Sequence, residues 1–375
     1  MFAREADGKA SGLRLRLFLG AVLALSLCVL VAACGSSGGG DTTGGAETTA
    51  STEGTEEASG AGGAELEGKK IGYLDVFGAA PIEVRFFKAF EAAAEGANWD
   101  VQFQDAAGDQ NKALTAARNF LNSGVDAIVC SSVPSEWLRP LLSEAQSKGV
   151  PLVEIITEMP PGVYDAQLTE SAEKTSPLLA EAVQEDFPNG TEVGVTYEPE
   201  VPAEVQRLEL LEKAFEGTNT KIVAVKEVPQ IEAPAAQKAV VDMLNTNPKI
   251  GAFLALSDIQ SSYALAGLRS AGNKDALVYS WYADTTNVEQ LKQDPQFSAV
   301  VDSNIARVGW LAVTELLRHF SGEEMTPLQV VEVEPLIVRK ADLTPAMFEE
   351  EGPVPFSEIA PPFEEEWSTE FGIGG

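Results

Sequence analysis

Short apolar runs alternate with amphipathic stretches along the chain from Lys69 to about Arg339. The run Ile71 to Leu74, for example, is followed by Ile82, Phe86 and Phe90 at the spacing of one helix face. This order predicts repeated strands and helices, and hence a parallel sheet. Further strands are predicted at 101–103, 127–130, 152–156, 192–196, 221–225, 251–256 and 277–280, and further helices at 109–122, 135–147, 171–187, 203–216, 234–246 and 259–271.

The alternation restarts after a polar crossing near Tyr164 to Thr169. About 270 residues of patterned chain are enough for two domains of ordinary size. Two similar α/β units in tandem are therefore the simplest interpretation. In open parallel sheets, ligands bind beyond the carboxyl ends of the strands, because loops and helix N-termini gather there.

The first 34 residues have the order of an export signal. Arg4, Lys9, Arg14 and Arg16 precede an apolar run from Leu17 to Ala33. An uncleaved membrane helix is the alternative, since about 17–25 residues span a bilayer. The residues just before Cys34 read Val-Ala-Ala and resemble the lipobox of bacterial lipoproteins. This resemblance implies that Cys34 carries a lipid, and either interpretation places the rest of the chain outside a membrane.

A low-complexity stretch follows Cys34. Residues 35–64 comprise 10 Gly, 10 Ser or Thr, 5 Ala and 5 acidic residues. Such a composition cannot build a core, so we predict a flexible tether over 34–68. A coil of about 30 residues reaches roughly 30 Å. The tether therefore gives the folded part enough reach to dock on a membrane partner.

Charge and rare residues exclude several functions. The formal net charge of −31 disfavours nucleic acid and anionic lipid surfaces as partners. His319 is the only histidine, and Cys130 is the only cysteine outside the signal and the lipidated position. Zinc sites, His-based triads and an intrachain disulfide framework are thus excluded, and Cys130 is predicted to be a core residue.

The predicted strand ends carry polar and aromatic residues without a catalytic set. No G-x-G-x-x-G follows the first strand, and no G-x-x-x-x-G-K-[ST] is present, so the usual nucleotide-binding motifs are missing. These ends indicate a binding cleft. The residues at the ends are 75–80, Ser131, Ser132, Thr157, Glu158, Ser257, Asp258, Trp281 and Tyr282.

Three segments carry a family resemblance: Gly124 to Val153, Asn247 to Tyr282 and Phe297 to Val313. In their order and spacing, behind a lipoprotein signal, they resemble the type I periplasmic binding proteins, and specifically the ribose-binding-like branch of sugar-binding components of ABC transporters. The resemblance covers about residues 69–340. It implies an α/β fold of two Rossmann-like lobes with parallel sheets, joined by a three-strand hinge, with the ligand enclosed when the hinge closes.

The family template also implies the division of the chain. The hinges are expected near 165–169, 302–305 and 330–333. The expected parts are a signal peptide at 1–33, the lipidated tether at 34–68, an N-terminal lobe at 69–167 and 304–330, a C-terminal lobe at 168–303 and 331–345, and an acidic C-terminal tail at 346–375. The tail carries five scattered aromatic residues, and the sequence leaves open whether it packs on a lobe.

Among the family's ligand-contact positions, this chain keeps one arginine, Arg207. The resemblance implies that Arg207 donates hydrogen bonds to sugar hydroxyls. Most other contact positions differ: Ala80, Glu83 and Ile156 stand where the family keeps other residue types. We therefore predict a ligand other than plain ribose, bound through ring faces and carboxylates that accept from hydroxyls or from a cationic amine. The predicted ligand-binding residues are Phe77, Glu83, Thr157, Glu158, Arg207, Ser257, Asp258, Trp281, Tyr282 and Ser303.

Structural roles compete with several of these assignments. Trp137 fits packing better than ligand contact. Asp258 and Asp284 also suit helix capping, Arg207 also suits a surface charge, and one of Trp281 and Tyr282 suits a core role because successive strand residues face opposite sides. If Arg207 or Tyr282 contacts the ligand, its replacement by Ala is predicted to weaken binding with little loss of fold.

The sequence thus predicts a monomeric, lipid-anchored solute-binding protein on the cell membrane, not an enzyme, with no cofactor and no metal. It captures a small polar ligand, with a sugar favoured, and delivers it to the permease of an ABC importer. Two alternatives remain open: a receptor of the same fold that presents its ligand to a membrane sensor, and a surface-attached hydrolase, which the missing nucleophile and base disfavour.

Overall fold

A computed structural model describes residues 63–156, 162–199, 201–228, 233–331, 334–349 and 351–373. The signal, Cys34 and most of the tether lie outside these residues. Two six-stranded sheets form the described chain. The first has the order β11-β5-β4-β3-β1-β2 and is parallel throughout. Its strands are β1 (Lys70–Asp75), β2 (Asp100–Asp105), β3 (Ala127–Ser131), β4 (Leu152–Ile156), β5 (Ala166–Thr169) and β11 (Gln329–Val330).

The second sheet repeats this arrangement with the order β12-β10-β9-β8-β6-β7. Five strands are parallel, and only β12 runs antiparallel, against β10. Its strands are β6 (Glu192–Tyr197), β7 (Lys221–Glu227), β8 (Ile250–Ala255), β9 (Leu277–Trp281), β10 (Phe297–Asp302) and β12 (Leu336–Val338). The strand positions predicted from the apolar runs are confirmed.

Helices connect the strands and cover the sheets. The helices near the first sheet are α1 (Gly63–Leu66), α2 (Pro81–Gly96), α3 (Gln110–Ser123), α4 (Ser135–Leu138), α5 (Leu142–Lys148), α11 (Arg307–Ser321) and α12 (Phe356–Glu370). Those near the second are α6 (Ala172–Asp186), α7 (Pro202–Ala214), α8 (Ala233–Thr246), α9 (Asp258–Ala271) and α10 (Thr285–Gln293). Each sheet with its helices is called a lobe below, the first lobe and the second lobe.

Local sequence explains how these helices begin and end. The Asp109 side chain accepts hydrogen bonds from the first turn of α3, and Gly124 ends that helix at φ +74°. The single helix predicted at 135–147 is wrong: Pro140 lies in a 3-10 turn, Arg139–Leu141, that separates α4 from α5. Proline lacks the N–H that a continuous helix needs, so the helix breaks there.

The chain passes between the lobes after β5, after β10 and after β11. All four residues of β5 are buried in the first sheet, so the polar crossing begins later than predicted, at Glu170. The expected lobe boundary at 167 falls inside this strand. The other expected boundaries remain predictions, whereas the two-lobe α/β fold itself is confirmed.

The C-terminal region packs on the protein. The hydrophobic side chains Ile359, Phe363, Trp367 and Phe371 are buried, and α12 lies against α2 and α11. Cys130 is buried, as predicted for a core residue. No helix in the described part of the chain combines the length and the apolarity needed to cross a membrane.

Candidate functional site

The two lobes meet at the carboxyl ends of their strands. Arg85, on α2 of the first lobe, forms two hydrogen bonds to Asp302 at the end of β10, from Nη1 at 2.6 Å and from Nη2 at 3.1 Å. Both side chains are fully buried. A buried, bidentate arginine–carboxylate pair has a demanding geometry and fixes orientation. The pair therefore joins the lobes at one side of the cleft.

Glu83 lies two residues before Arg85 and points at the first sheet. Its carboxylate accepts hydrogen bonds from Ser131 Oγ at 2.5 Å and from Ser132 Oγ at 2.8 Å. Burial raises the pKa of Glu83 to about 7, because it outweighs the two serine hydrogen bonds; the charge of Asp258 also raises it. Glu83 therefore changes charge near neutral pH.

Asp75 ends β1 beside this group. Its Oδ1 accepts from the Phe77 N–H at 2.8 Å, whereas no donor among the described residues reaches its Oδ2. Burial and then the charge of Glu83 raise the pKa of Asp75 to about 9. The first-lobe wall of the cleft thus presents carboxyl and hydroxyl groups.

Arg207, on α7, is the centre of the second-lobe wall. Its Nη1 donates to the Leu256 carbonyl at 2.6 Å, and its Nη2 donates to Glu170 and to the Tyr282 hydroxyl. Glu170 also accepts from Ser303 Oγ at 2.6 Å. Burial would lower the pKa of Arg207, but Tyr282 and Glu170 outweigh it and raise the pKa. Arg207 is therefore a buried permanent cation, and its interpretation as a surface charge is wrong.

Two aromatic rings flank this guanidinium. The Arg207 Cζ lies 4.9 Å from the ring centroid of Trp281 and 5.1 Å from that of Tyr282. Tyr282 has φ +64°, a left-handed backbone that its side chain disfavours, and Asn287 Nδ2 donates to its carbonyl at 2.8 Å. This turn after β9 brings both rings onto the arginine although they are neighbours in sequence.

A pair of buried aspartates lies between these walls. The carboxyls of Asp258 and Asp284 interact with each other, and no donor among the described residues reaches either Oδ2 atom. Burial and then the charge of Asp258 raise the pKa of Asp284 well above its usual range. Asp284 also caps α10 by accepting from the Asn287 N–H at 2.9 Å, so the capping role is confirmed for it. The pair holds a proton or accepts from a donor.

Ser257 belongs to a neighbouring buried network. Its Oγ donates to Glu198 Oε1 at 3.2 Å, and Gln260 Nε2 donates to the same oxygen at 2.9 Å and to Glu204 at 3.1 Å. Burial and then the charge of Glu198 raise the pKa of Glu204 well above its usual range. Ser257 therefore orients second-lobe carboxyls at the start of α9.

The predicted ligand-binding residues divide into three groups. Phe77 packs against its own lobe's core. Trp137, for which the sequence favours packing, also lies against this core. Thr157 and Glu158 lie outside the described residues. The structure brings the remaining seven to the region where the lobes meet: Glu83, Arg207, Ser257, Asp258, Trp281, Tyr282 and Ser303.

Sequence reasoning missed three residues: Arg85, Glu170 and Asp302. One signal was present for Arg85, which follows Ile82 by three residues and precedes Phe86 on the buried part of α2. A charge at such a position indicates a buried partner. The partner itself is 217 residues away, so no local pattern identifies it.

The groups collected here have the chemistry to bind polar molecules. Carboxyls accept hydrogen bonds, the guanidinium donates them, and ring faces cover apolar surfaces. Within the described residues, no three His, Cys, Asp or Glu side chains are grouped to hold a metal ion. A two-lobed α/β fold with such a cleft defines a ligand-binding protein.

Comparison with known proteins agrees with this class. A family model described as "Periplasmic binding protein domain" matches residues 76–324. The chain belongs to this family, as the sequence resemblance predicts.

Named relatives lie in the sugar-binding part of the family. The chain is 23% identical over 226 residues to a D-ribose/D-allose-binding protein of Pseudomonas aeruginosa, covering 57% of this chain and 69% of the relative. It is 24% identical over 233 residues to the ribose import binding protein of Bacillus subtilis, covering 62% and 75%.

A solved structure shows the same fold. The solute-binding protein from Actinobacillus succinogenes with bound D-allose superposes with a TM-score of 0.65 at 20% identity, covering 73% of this chain and 98% of that one. At this identity the likeness establishes the fold, and the ligand of this chain must be argued from its own residues.

Proposed function

We propose that this protein is an extracytoplasmic solute-binding lipoprotein that captures a small sugar or sugar-like compound between its lobes and delivers it to an ABC importer. The observation that carries the proposal is the Arg207 cluster. A buried guanidinium held between two rings, with a hydrogen-bonded carboxylate and hydroxyl beside it, suits a ring compound with several hydroxyls. Membership of the periplasmic binding protein family supports the transport role.

Polar atoms of the cleft that lack a hydrogen-bond partner among the described residues indicate the chemical class of the ligand. Oδ2 of Asp75, Asp258 and Asp284 lacks a donor among the described residues, whereas Arg207 Nε and Trp281 Nε1 lack an acceptor. The raised pKa values of these three carboxyls favour their protonated forms, which donate as well as accept, whereas Arg207 and Trp281 only donate. Such a set of groups matches hydroxyl groups, which both donate and accept. The ligand is therefore neutral and hydroxylated, and it need not be ribose, because few of the family's contact residues are retained.

Thermal unfolding of the purified protein against pentoses, hexoses, polyols, nucleosides and amines tests this proposal. A ligand at 100 times its dissociation constant adds about 2.7 kcal/mol, which raises the midpoint by several degrees at about 2–4 °C per kcal/mol. We expect a shift confined to one sugar class. A shift with amines alone would contradict the neutral ligand, and no shift with any sugar or polyol would contradict the sugar role.

Lipid attachment is tested separately. Replacing Cys34 with Ala is expected to release the protein from the membrane fraction, because the lipid would anchor it there. The matched control is Cys130→Ala, which leaves any anchor in place. A Cys34→Ala protein that still sediments with membranes would show that the apolar run itself is the anchor.

Uptake tests the transport role. Cells lacking this protein are expected to lose import of the sugar identified in the screen, and the intact gene is expected to restore it. Unchanged import would favour the alternative role, in which the protein presents its ligand to a sensor.

A further inference from the structure

The C-terminal region contacts both lobes in turn. After β12, the chain packs on α10 of the second lobe. Met347 is buried in that lobe's core, Leu343 and Phe348 pack beside it, and the Lys292 ammonium lies 4.6 Å from the Phe348 ring centroid. These contacts fix the 3-10 helix Pro345–Glu349 to the second lobe.

A few residues later the chain is fixed to the first lobe. The Phe356 ring lies 5.3 Å from that of Trp310 on α11, and Ile359 is fully buried. Trp367 Nε1 donates to Thr314 Oγ1 at 2.8 Å, also on α11. Burying large side chains such as these contributes about 1.5–3 kcal/mol each, so this second anchor is firm.

Between the two anchors, the chain covers Arg85. Gly352 has φ +88°, and a Cβ placed on it would lie 2.1 Å from Arg85 Nη2. Only glycine permits so close an approach. Arg85 in turn holds Asp302, whose carboxylate also accepts from the Ala283 N–H at 2.8 Å and the Asn304 N–H at 2.7 Å. The C-terminal segment therefore forms the outer wall of the ion pair that joins the lobes.

We infer that residues 345–349 and 351–363 form a strap: a fourth connection between the lobes, which keeps Arg85 against Asp302 and limits opening of the cleft. Both anchors lie beyond residues 76–324, the part that matches the family model. The three earlier crossings allow the lobes to rotate, since hinges absorb the change in a few residues. The strap adds a restraint, because full opening must detach an anchor or rearrange residues 351–355.

A glycine pair supplies the first test. Gly352→Ala adds a methyl group against Arg85 and strains the backbone. Gly322→Ala is the matched control: Gly322 has the same φ of +88°, but an added Cβ meets nothing within 4 Å. The readout is amide hydrogen exchange, without ligand, in peptides that contain Ala283 and Asn304.

We expect exchange in these two peptides to be at least about tenfold faster in Gly352→Ala than in Gly322→Ala, because the ion pair shields both amides. Peptides from β8, inside the second lobe, are expected to behave alike in the two variants. Equal exchange of the two variants in all peptides would overturn the inference of a strap.

A second variant avoids the risk that Gly352→Ala fails to fold. Four Gly or Ser residues inserted between Pro353 and Val354 lengthen the strap and leave both anchors intact. We expect a larger radius of gyration by small-angle X-ray scattering and faster exchange in the same peptides. An unchanged radius and unchanged exchange would show that the C-terminal region only packs on the surface, and would overturn the inference. Neither measurement requires a ligand, so a failure of the strap can be distinguished from a failure of the sugar-binding proposal.

Discussion

Arg85 and Arg207 are both buried and both bind a carboxylate, yet their surroundings differ. Arg85 bridges the lobes, bonds Asp302 with two nitrogens and is covered by Gly352. Arg207 lies between two rings and divides its donors among Leu256, Glu170 and Tyr282. One arginine has a single carboxylate partner, whereas the other is the centre of a network. We therefore propose that the same type of side chain holds the lobes together in one place and contacts the ligand in the other.

The charges around the two pairs support this division. The pKa of Asp302 is lowered: burial would raise it, but the adjacent Arg85 charge and its hydrogen bonds outweigh burial. The Arg85 pair is thus an ionised, self-contained contact. The Arg207 network includes Tyr282, whose pKa burial raises well above its usual range, so its hydroxyl stays neutral and can donate to Glu170 or to a ligand.

The largest effect is expected from breaking the ion pair between Arg85 and Asp302. Arg85→Ala leaves the Asp302 carboxylate buried without its cation, and such a change costs about 3–5 kcal/mol of unfolding free energy. Urea unfolding measures it. Arg269→Ala is the control, because its ion pair with Asp294 is exposed and contributes about 0–1 kcal/mol. A loss no larger than that of the control would mean that the Arg85 pair does not hold the fold together.

The second prediction concerns Arg207 and ligand affinity. Arg207→Lys keeps the charge but loses the planar fork that reaches three acceptors, so we expect at least about tenfold weaker binding of the sugar found in the thermal screen. Arg85→Lys is the comparison variant; its effect is expected on stability more than on ligand contact. Titration calorimetry measures the ligand affinity of both variants. Unchanged affinity in Arg207→Lys would remove Arg207 from the site.

The burial of Arg207 bears on the expected effect of Arg207→Ala. Replacing it with Ala is expected to cost stability as well as affinity, because Glu170 would remain buried without its cation. We therefore expect a larger loss of stability for this variant than the sequence alone suggests, and lysine is the better probe of binding.

The third prediction sharpens the comparison through pH. Glu83 shares α2 with Arg85, and its pKa rises to about 7 from a usual value near 4.5. An acid with a raised pKa binds its proton more tightly in the folded state, so stability is lost as pH rises from about 4.5 to 7. The slope is at most about 1.4 kcal/mol per pH unit.

Glu83→Gln cannot ionise, and we expect it to flatten this part of the stability profile measured by urea unfolding. Glu136→Gln, at an exposed position of the first lobe, is the control and should keep the slope. If Glu83→Gln and the unmodified protein have the same slope between pH 5 and 7, then Glu83 is ionised throughout that range.

How far the sequence predicts this molecule depends on whether a feature is local. Strands and helices follow from periodicity within a few residues, and turns from residues such as Gly124. The strap also left a local trace: Phe356, Phe363, Trp367 and Phe371 recur at near-helical intervals, and all but Phe356 are buried. What the sequence could not show is which lobe they cover.

The site was predicted unevenly for the same reason. Arg207 was found through a family resemblance, and Tyr282 through its position at a strand end. The partners Glu170 and Asp302 were missed, because each pairs with an arginine 37 or 217 residues away. A long-range ion pair in a buried cleft depends on the topology, and no local pattern specifies it.

The smallest effect is expected from removing the Tyr282 hydroxyl, which bonds to Arg207 and Glu170. Tyr282→Phe keeps the ring over Arg207 but removes the oxygen that accepts from its Nη2 and donates to Glu170. Loss of such a hydrogen bond costs about 1 kcal/mol, or roughly fivefold in affinity. Tyr279→Phe is the matched control: it removes a hydroxyl of the same lobe that donates to Asp186 at 2.7 Å. Both variants should lose similar stability, and only Tyr282→Phe should weaken ligand binding; equal affinity in the two would assign the Tyr282 hydroxyl to structure alone.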